Sequence, residues 1–171
     1  MYSSIEVALI EARKDDMFAY LLDHPEEFPS ALRCAVSDHP VHGWRAAWLL
    51  SGCMEDNDPR VRPFIPTMLD RLPGAAQGHQ RELMKVLLRM ELADEHEGAL
   101  FDMAIAIWED IEKIPSVRYI AFRFMTAMVR KYPELRAEVK LLTQPHHLKP
   151  LSPGIRAAVM KMIRATILEN T

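Results

Sequence analysis

Residues 116–132 read Ser-Val-Arg-Tyr-Ile-Ala-Phe-Arg-Phe-Met-Thr-Ala-Met-Val-Arg-Lys-Tyr, and this stretch decides the fold. Its apolar side chains cover most of a helical circumference, as they do in a helix packed on several sides. Comparable segments precede and follow it at nearly constant spacing. It therefore reads as one member of a stack, with Phe122 near the middle.

The spacing emerges when four segments are aligned on Arg45, Arg81, Arg118 and Arg156, which lie 36, 37 and 38 residues apart. Two positions on stand Ala47, Leu83, Ile120 and Ala158; three positions on stand Trp48, Met84, Ala121 and Val159. Nine positions on stand Met54, Met90, Ala127 and Ala165. At about 100° per residue these positions share one helical face, with the arginine at its edge. A partner helix fits between successive aligned helices, so each unit is a helix–turn–helix. Pro59 and Pro133, which open partner helices, are 74 residues apart, twice 37.

A period near 37 with two helices per unit lies in the range of α-solenoids. The pairs Trp44-Arg45, Val61-Arg62, Val117-Arg118 and Ile155-Arg156 resemble the Val-Arg pairs of HEAT and HEAT-like repeats. Asp56-Asn57-Asp58-Pro59-Arg60-Val61-Arg62 resembles the acidic turn before them. The resemblance covers roughly residues 41–168. It departs at Gln80-Arg81, where the apolar partner is missing, and in the first 40 residues, which do not align. It implies an all-α fold, an α-α superhelix of the HEAT-like (armadillo-type) solenoid kind with about four to five helix pairs. The expected layout is a single domain over residues 1–171, with irregular capping helices in 1–40 and repeats of about 37 residues in 41–171. Terminal repeats deviate because one of their faces meets water.

Taken in order, the pattern predicts helices over 5–14, capped by Ser4, then one capped by Asp15 or Asp16 that runs through Leu22, then 30–37. The next runs from Val41 through Leu50 and stops in Glu55-Asp56-Asn57-Asp58. A helix over 60–72 follows, in which Pro66 marks a kink or a late start. Helices over 77–90 and 99–111, the opening stretch, and 133–142 come next. Gln144 to His147 reads as a loop, and residues 155–168 as the last helix.

The totals limit the function classes. Apolar residues are 49% and charged residues 26%, ordinary for a globular protein, and 12 Pro sit mostly at plausible helix ends. There is no run of about 18 apolar residues, so no membrane span is expected. The start, Met-Tyr-Ser-Ser-Ile-Glu, lacks the pattern of a secretory signal. Cys34 and Cys53 read as buried thiols in a reducing cytoplasm. The net charge of −3 hides an asymmetry: residues 1–112 hold 10 Lys and Arg against 21 Asp and Glu, whereas residues 113–171 hold 11 against 3. An anionic partner at one end, or charge-driven homo-oligomerisation of a monomer, would use that asymmetry.

Residue chemistry points away from catalysis. His39-Pro40-Val41-His42 and His146-His147 lack the i, i+4 spacing of a helical metal site, and no metal or other cofactor is expected. Glu55-Asp56-Asn57-Asp58, and Glu91 with Asp94, Glu95 and Glu97, read as solvated turns or caps. No glycine-rich phosphate loop and no nucleophile elbow occurs. Trp44, Trp48 and Trp108 fall in apolar patterns and are expected in the core. An arginine near a helix start opposes the helix dipole, so the aligned arginines are expected to meet carboxylates of the adjoining acidic turns.

The candidate anion- or partner-binding residues are Arg118, Arg123, Arg130, Lys131, Arg156, Lys161 and Arg164, with Tyr119 and Tyr132 nearby. The leading expectation is a non-enzymatic scaffold whose concave face binds a protein of unknown identity. The alternative is a nucleic-acid-binding HEAT-like protein that uses the basic C-terminal third. It would be similar in architecture only to the HEAT-like DNA alkylation-repair glycosylases, which are larger and more basic. No catalytic Asp or cleft aromatic of those enzymes matches here position by position.

Overall fold

The computed structural model describes residues 4–168, and among them there are helices and turns and no strand. The α-helices are α1 (Ile5–Glu11), α2 (Lys14–Asp23), α3 (Phe28–Ala35), α4 (His42–Cys53), α5 (Ile65–Arg71) and α6 (Gln77–Leu87). They continue with α7 (Asp94–Glu109), α8 (Pro115–Lys131), α9 (Arg136–Leu141), α10 (Pro145–Leu148) and α11 (Pro153–Ile163). The fold is all-α and HEAT-like, with the helix–turn–helix alternation that the period predicts. The described residues form two compact units, divided between His96 and Glu97.

In the first unit α4 packs against both α3 and α6. Leu49 and Leu50 of α4, Ala31 and Leu32 of α3, and Leu83 and Met84 of α6 are buried. Close approach depends on two missing side chains. A Cβ at Gly52 would lie 2.3 Å from Cε1 of Phe18, so α2 can rest on α4 only at a glycine. A Cβ at Gly43 would lie 2.6 Å from Cε1 of His79, whose ring occupies that space. Pro66 lies in the first turn of α5, after a 3-10 turn over Arg62–Phe64, so it marks a late start and makes no kink.

In the second unit α8 is the central helix. Pro115 sits in its first turn, Arg130 and Lys131 complement the dipole in its last, and Tyr132 ends it before Pro133. Val117, Ile120, Ala121, Phe122, Phe124, Met125, Met128 and Val129 are all buried. Trp108 of α7 packs on Phe122 with ring centroids 4.5 Å apart, and its indole N–H donates to the Leu142 carbonyl at 2.7 Å. α11 packs beside α8, and Thr126 Oγ1 donates to Met162 Sδ at 3.8 Å.

Several local expectations change. α2 starts at Lys14 with Arg13 as its N-cap, and Asp15 and Asp16, expected as caps, lie in its first turn; α3 runs over Phe28–Ala35 with Pro29 inside its first turn. Residues 145–148 form a short helix instead of a loop, since Pro145 is compatible with a first turn and His147 is buried. α11 ends at Ile163 and passes into a π-helical turn over Arg164–Leu168. α7 begins at Asp94, so Glu97 belongs to a helix and not to a turn.

Candidate partner-binding surface

A helix leaves its last carbonyls without intrahelical partners and carries partial negative charge at that end. Here side-chain donors from elsewhere in the same unit meet those carbonyls. In the first unit Arg45 Nη2 donates to Ala12 at the end of α1 (2.7 Å), and His79 Nε2 to Ala35 at the end of α3 (2.7 Å). Arg89 Nη1 donates to Ser51 in the last turn of α4 (2.8 Å), and Gln80 Nε2 to Leu72 after α5 (2.8 Å). In the second unit Arg118 donates to Trp108 through Nε (3.0 Å) and Nη2 (2.9 Å), and to His147 through Nη2 (2.8 Å). Arg156 Nη2 donates to Lys149 (2.8 Å) and Leu151 (2.9 Å).

Three of the four aligned arginines are therefore capping groups. The expected carboxylates of adjoining turns are replaced by carbonyls for Arg45, Arg118 and Arg156, because a guanidinium reaches an orphan carbonyl and opposes the dipole at once. Arg81 pairs with Glu82 of its own helix at 2.7 Å. Gln80, which breaks the apolar–Arg pattern, supplies the donor that its repeat needs. Arg89 is the residue that meets an acidic turn, at Asp56 (2.7 Å).

Of the acids in these turns, Glu55, Asp56, Glu91, Asp94 and Glu95 are exposed as expected, but Asp58 and Glu97 are buried. Asp58 is 1% exposed and accepts from Arg60 Nη2 at 2.6 Å, Arg60 Nε at 2.9 Å and the Glu55 N–H at 3.2 Å. These donors, Arg60 first, hold its pKa down at about 2. Asn57 takes a left-handed φ of 54°, which Asn tolerates in turns. Its N–H donates to the Arg89 carbonyl at 2.7 Å, which fastens the turn to the chain just beyond the end of α6. Glu97 is likewise buried, accepting from Lys131 Nζ at 2.6 Å and Tyr132 Oη at 2.8 Å.

These contacts divide the seven candidate basic residues. Arg118 is fully buried against the Trp108 ring, its Cζ 4.7 Å from the centroid, and is removed from any surface role. Lys131 is held by Glu97, which raises its pKa, and Arg156 caps α10. Arg123, Arg130, Lys161 and Arg164 are exposed, and among the described residues no carboxylate pairs with them. Arg123 and Lys161 occupy the same register, five positions after the aligned arginines of the neighbouring helices α8 and α11. Tyr119 is half-buried one turn before Arg123, whose Cζ lies 6.0 Å from its ring centroid.

Of the tryptophans, Trp108 is buried as expected, but Trp44 is 41% exposed and Trp48 half-buried. Sequence periodicity could not reveal this, because it places a residue on a face without saying whether a neighbour covers the whole face. Among the described residues no group of three or more His, Cys, Asp or Glu could hold a metal ion. No helix among them is long and apolar enough to cross a membrane.

Three histidines are kept neutral by their surroundings. Burial lowers the pKa of His79, opposed in part by its hydrogen bond to the Ala35 carbonyl and reinforced by Arg71; burial and then His146 and Arg118 lower that of His147; burial and His39 lower that of His42. On acidification the unfolded chain protonates first, so the stabilisation is complete above the unfolded value of 6.5 and is lost as pH falls below it. The melting midpoint should fall between about pH 7.5 and about pH 5.5, and His79→Gln should flatten that dependence. Melts monitored by circular dichroism check it; a midpoint that rises on acidification contradicts the assignment.

Neighbouring helices packed on one another and joined by turns, with helix ends tied by side chains, define an α-helical repeat fold. The HEAT repeat domain family matches residues 4–166, and the chain belongs to that family. A search of curated proteins and of solved structures found no match.

Proposed function

We propose that this chain is a non-enzymatic scaffold that binds another protein through the solvent-facing sides of α8 and α11. The observation that carries this reading is the set Arg123, Arg130, Lys161 and Arg164. Arg123 and Arg130 stand exposed on α8, Lys161 on the neighbouring α11 and Arg164 at the start of the π-helical turn that follows it, and among the described residues no carboxylate pairs with them. Unpaired cations beside Tyr119 suit an acidic protein surface, where they speed association and fix register. Membership of the HEAT repeat family supports a scaffold role. The reading places the protein in the cytoplasm, where Cys34 and Cys53 remain free thiols.

The test is affinity purification of the tagged chain from its native cell after mild cross-linking. Wild type should retain a specific protein, and Arg123→Glu with Lys161→Glu should reduce retention by about tenfold or more. Equal retention by the double variant contradicts the surface, and absence of any specific protein contradicts the scaffold reading. A second reading, nucleic-acid binding, rests on the same four cations with Tyr119 available for stacking. Gel shift with single- and double-stranded DNA tests it: binding at low salt that weakens at moderate salt supports it, and no shift at low salt ends it.

A further inference from the structure

In the aligned helices α6 and α8, the position before the arginine and the position three after it are closed, whereas in the last aligned helix, α11, Ile155 is half-buried and Val159 buried. Gln80 and Met84 are buried in α6, and Val117 and Ala121 are buried in α8. In α4 the same two positions are Trp44 and Trp48, the largest side chains available, and neither is closed. The irregular N-terminal helices explain why. Phe18 of α2 meets the Trp48 ring edge-on at 5.0 Å and sits against Gly52, one to two turns beyond Trp44. The beginning of the face, where Trp44 stands, is left uncovered.

A cleft of about 450 Å³ results, with Met17, Trp44 and Trp48 as its apolar walls and Arg13, Lys14 and Arg45 as its polar ones. Lys14 Nζ lies 5.7 Å from the Trp48 ring centroid and Arg45 Cζ 6.0 Å from that of Trp44. Arg45 is fixed in place by the Ala12 carbonyl and by Met17 Sδ at 3.2 Å. No carboxylate lines the cleft, and among the described residues none pairs with these three cations. The surrounding unit has the opposite sign: residues 1–96 carry 10 Lys and Arg against 16 Asp and Glu, a net of −6. Trp44 also walls a second cleft, of about 350 Å³, where Arg71 is neutralised by Asp38 at 3.1 Å. The unbalanced positive charge thus lies on one side of an exposed indole.

We propose that this cleft is a docking site for an acidic peptide segment of a partner protein, one that seats an aromatic or aliphatic side chain against Trp44 and Trp48 and its carboxylates beside Lys14, Arg13 and Arg45. The proposal rests on the scaffold reading and adds a second surface in the other unit. The indoles supply a rigid apolar anchor of the kind that dominates interface energetics. The cations select the sign of the partner and make binding sensitive to salt. An apolar peptide without acids would leave the cations unbalanced, and a basic one would be repelled.

The test is selection of binders to the full chain from a phage-displayed library of random peptides, followed by fluorescence anisotropy on the enriched sequences. The enriched peptides should combine Asp or Glu with at least one large apolar residue. Trp44→Ala and Lys14→Glu, each at an exposed position, should weaken them by about tenfold or more while leaving the helical circular dichroism intact. Raising the salt from about 50 mM to about 500 mM should weaken them too. No enrichment, enrichment of basic peptides, or binding indifferent to both substitutions overturns the proposal, as does a Trp44-dependent preference for an oligonucleotide over the peptides. Purification from the native cell with Trp44→Glu separates the two readings. A partner retained equally by wild type and variant leaves the scaffold intact and removes the cleft.

Discussion

Phe122→Asp should unfold the second unit. Phe122 is fully buried, its ring 4.5 Å from that of Trp108 in the centre of residues 97–168. Removing a buried aromatic costs about 3–5 kcal/mol through lost transfer energy and the cavity left behind. Placing a carboxyl there without a partner adds several kcal/mol more, whether it stays charged or takes up a proton. The sum approaches the whole stability of a typical domain, about 5–15 kcal/mol. Circular dichroism should show loss of helix and limited proteolysis should cut within the second unit. Phe122→Leu, which keeps an apolar side chain, should cost no more than about 1.5 kcal/mol. A Phe122→Asp melt that superimposes on wild type contradicts the placement of this residue.

Arg118→Met should lower stability by about 2–4 kcal/mol, which for a chain of this size is a shift of the melting midpoint by roughly 5–15 °C. Two effects oppose each other here. Burial disfavours the charged guanidinium and lowers its pKa, and the nearby charge of Asp110 offsets only part of that desolvation. Against this stand three charge-assisted hydrogen bonds to the Trp108 and His147 carbonyls, and the ring of Trp108 beneath the cation. Each such bond is worth about 1.5–3 kcal/mol, and a methionine would leave both carbonyls buried without a donor. The bonds outweigh the desolvation, so the substitution is destabilising. Arg118→Lys should fall between the two, because an ammonium lacks the planar fork that reaches both carbonyls. Thermal melts of the three proteins check the order, and a variant more stable than wild type would show that charge burial dominates.

The contrast between Arg118 and Arg123 shows where sequence reading reaches its limit. Both are arginines of α8, five residues apart, and both were candidates for the same basic surface. Helical geometry puts Arg118 beside apolar Val117 and Ala121, at the edge of the buried face, and puts Arg123 on the opposite edge. Whether an edge position is open depends on what packs over it. For Arg118 that is the end of α7 and α10, and α10 lies in a stretch whose pattern read as a loop. Trp44 is the converse case. Its helical pattern matched that of a core residue, but the irregular helices before it stop short of covering it.

Likewise, Gln80, His79 and Arg89 carried no signal of their own. Their donors meet carbonyls of Leu72, Ala35 and Ser51, backbone groups that any sequence possesses. A carboxylate partner can be anticipated from charge, but a carbonyl partner appears only when the helix ends are placed.

The amino-acid sequence by itself determined the helical class, the spacing of 36 to 38 residues between the aligned arginines, and the apolar positions at Leu83, Met84, Ile120 and Ala121 that α6 and α8 bury. These follow from local periodicity, which acts between residues three and four apart and is written directly in the chain. Tertiary structure alone decided which basic residues cap helix ends, which remain exposed, and that two tryptophans wall a cationic cleft. Burial and hydrogen bonding at those places are set by neighbours distant in sequence, and the pattern within one helix carries no record of how much of its face the next element covers.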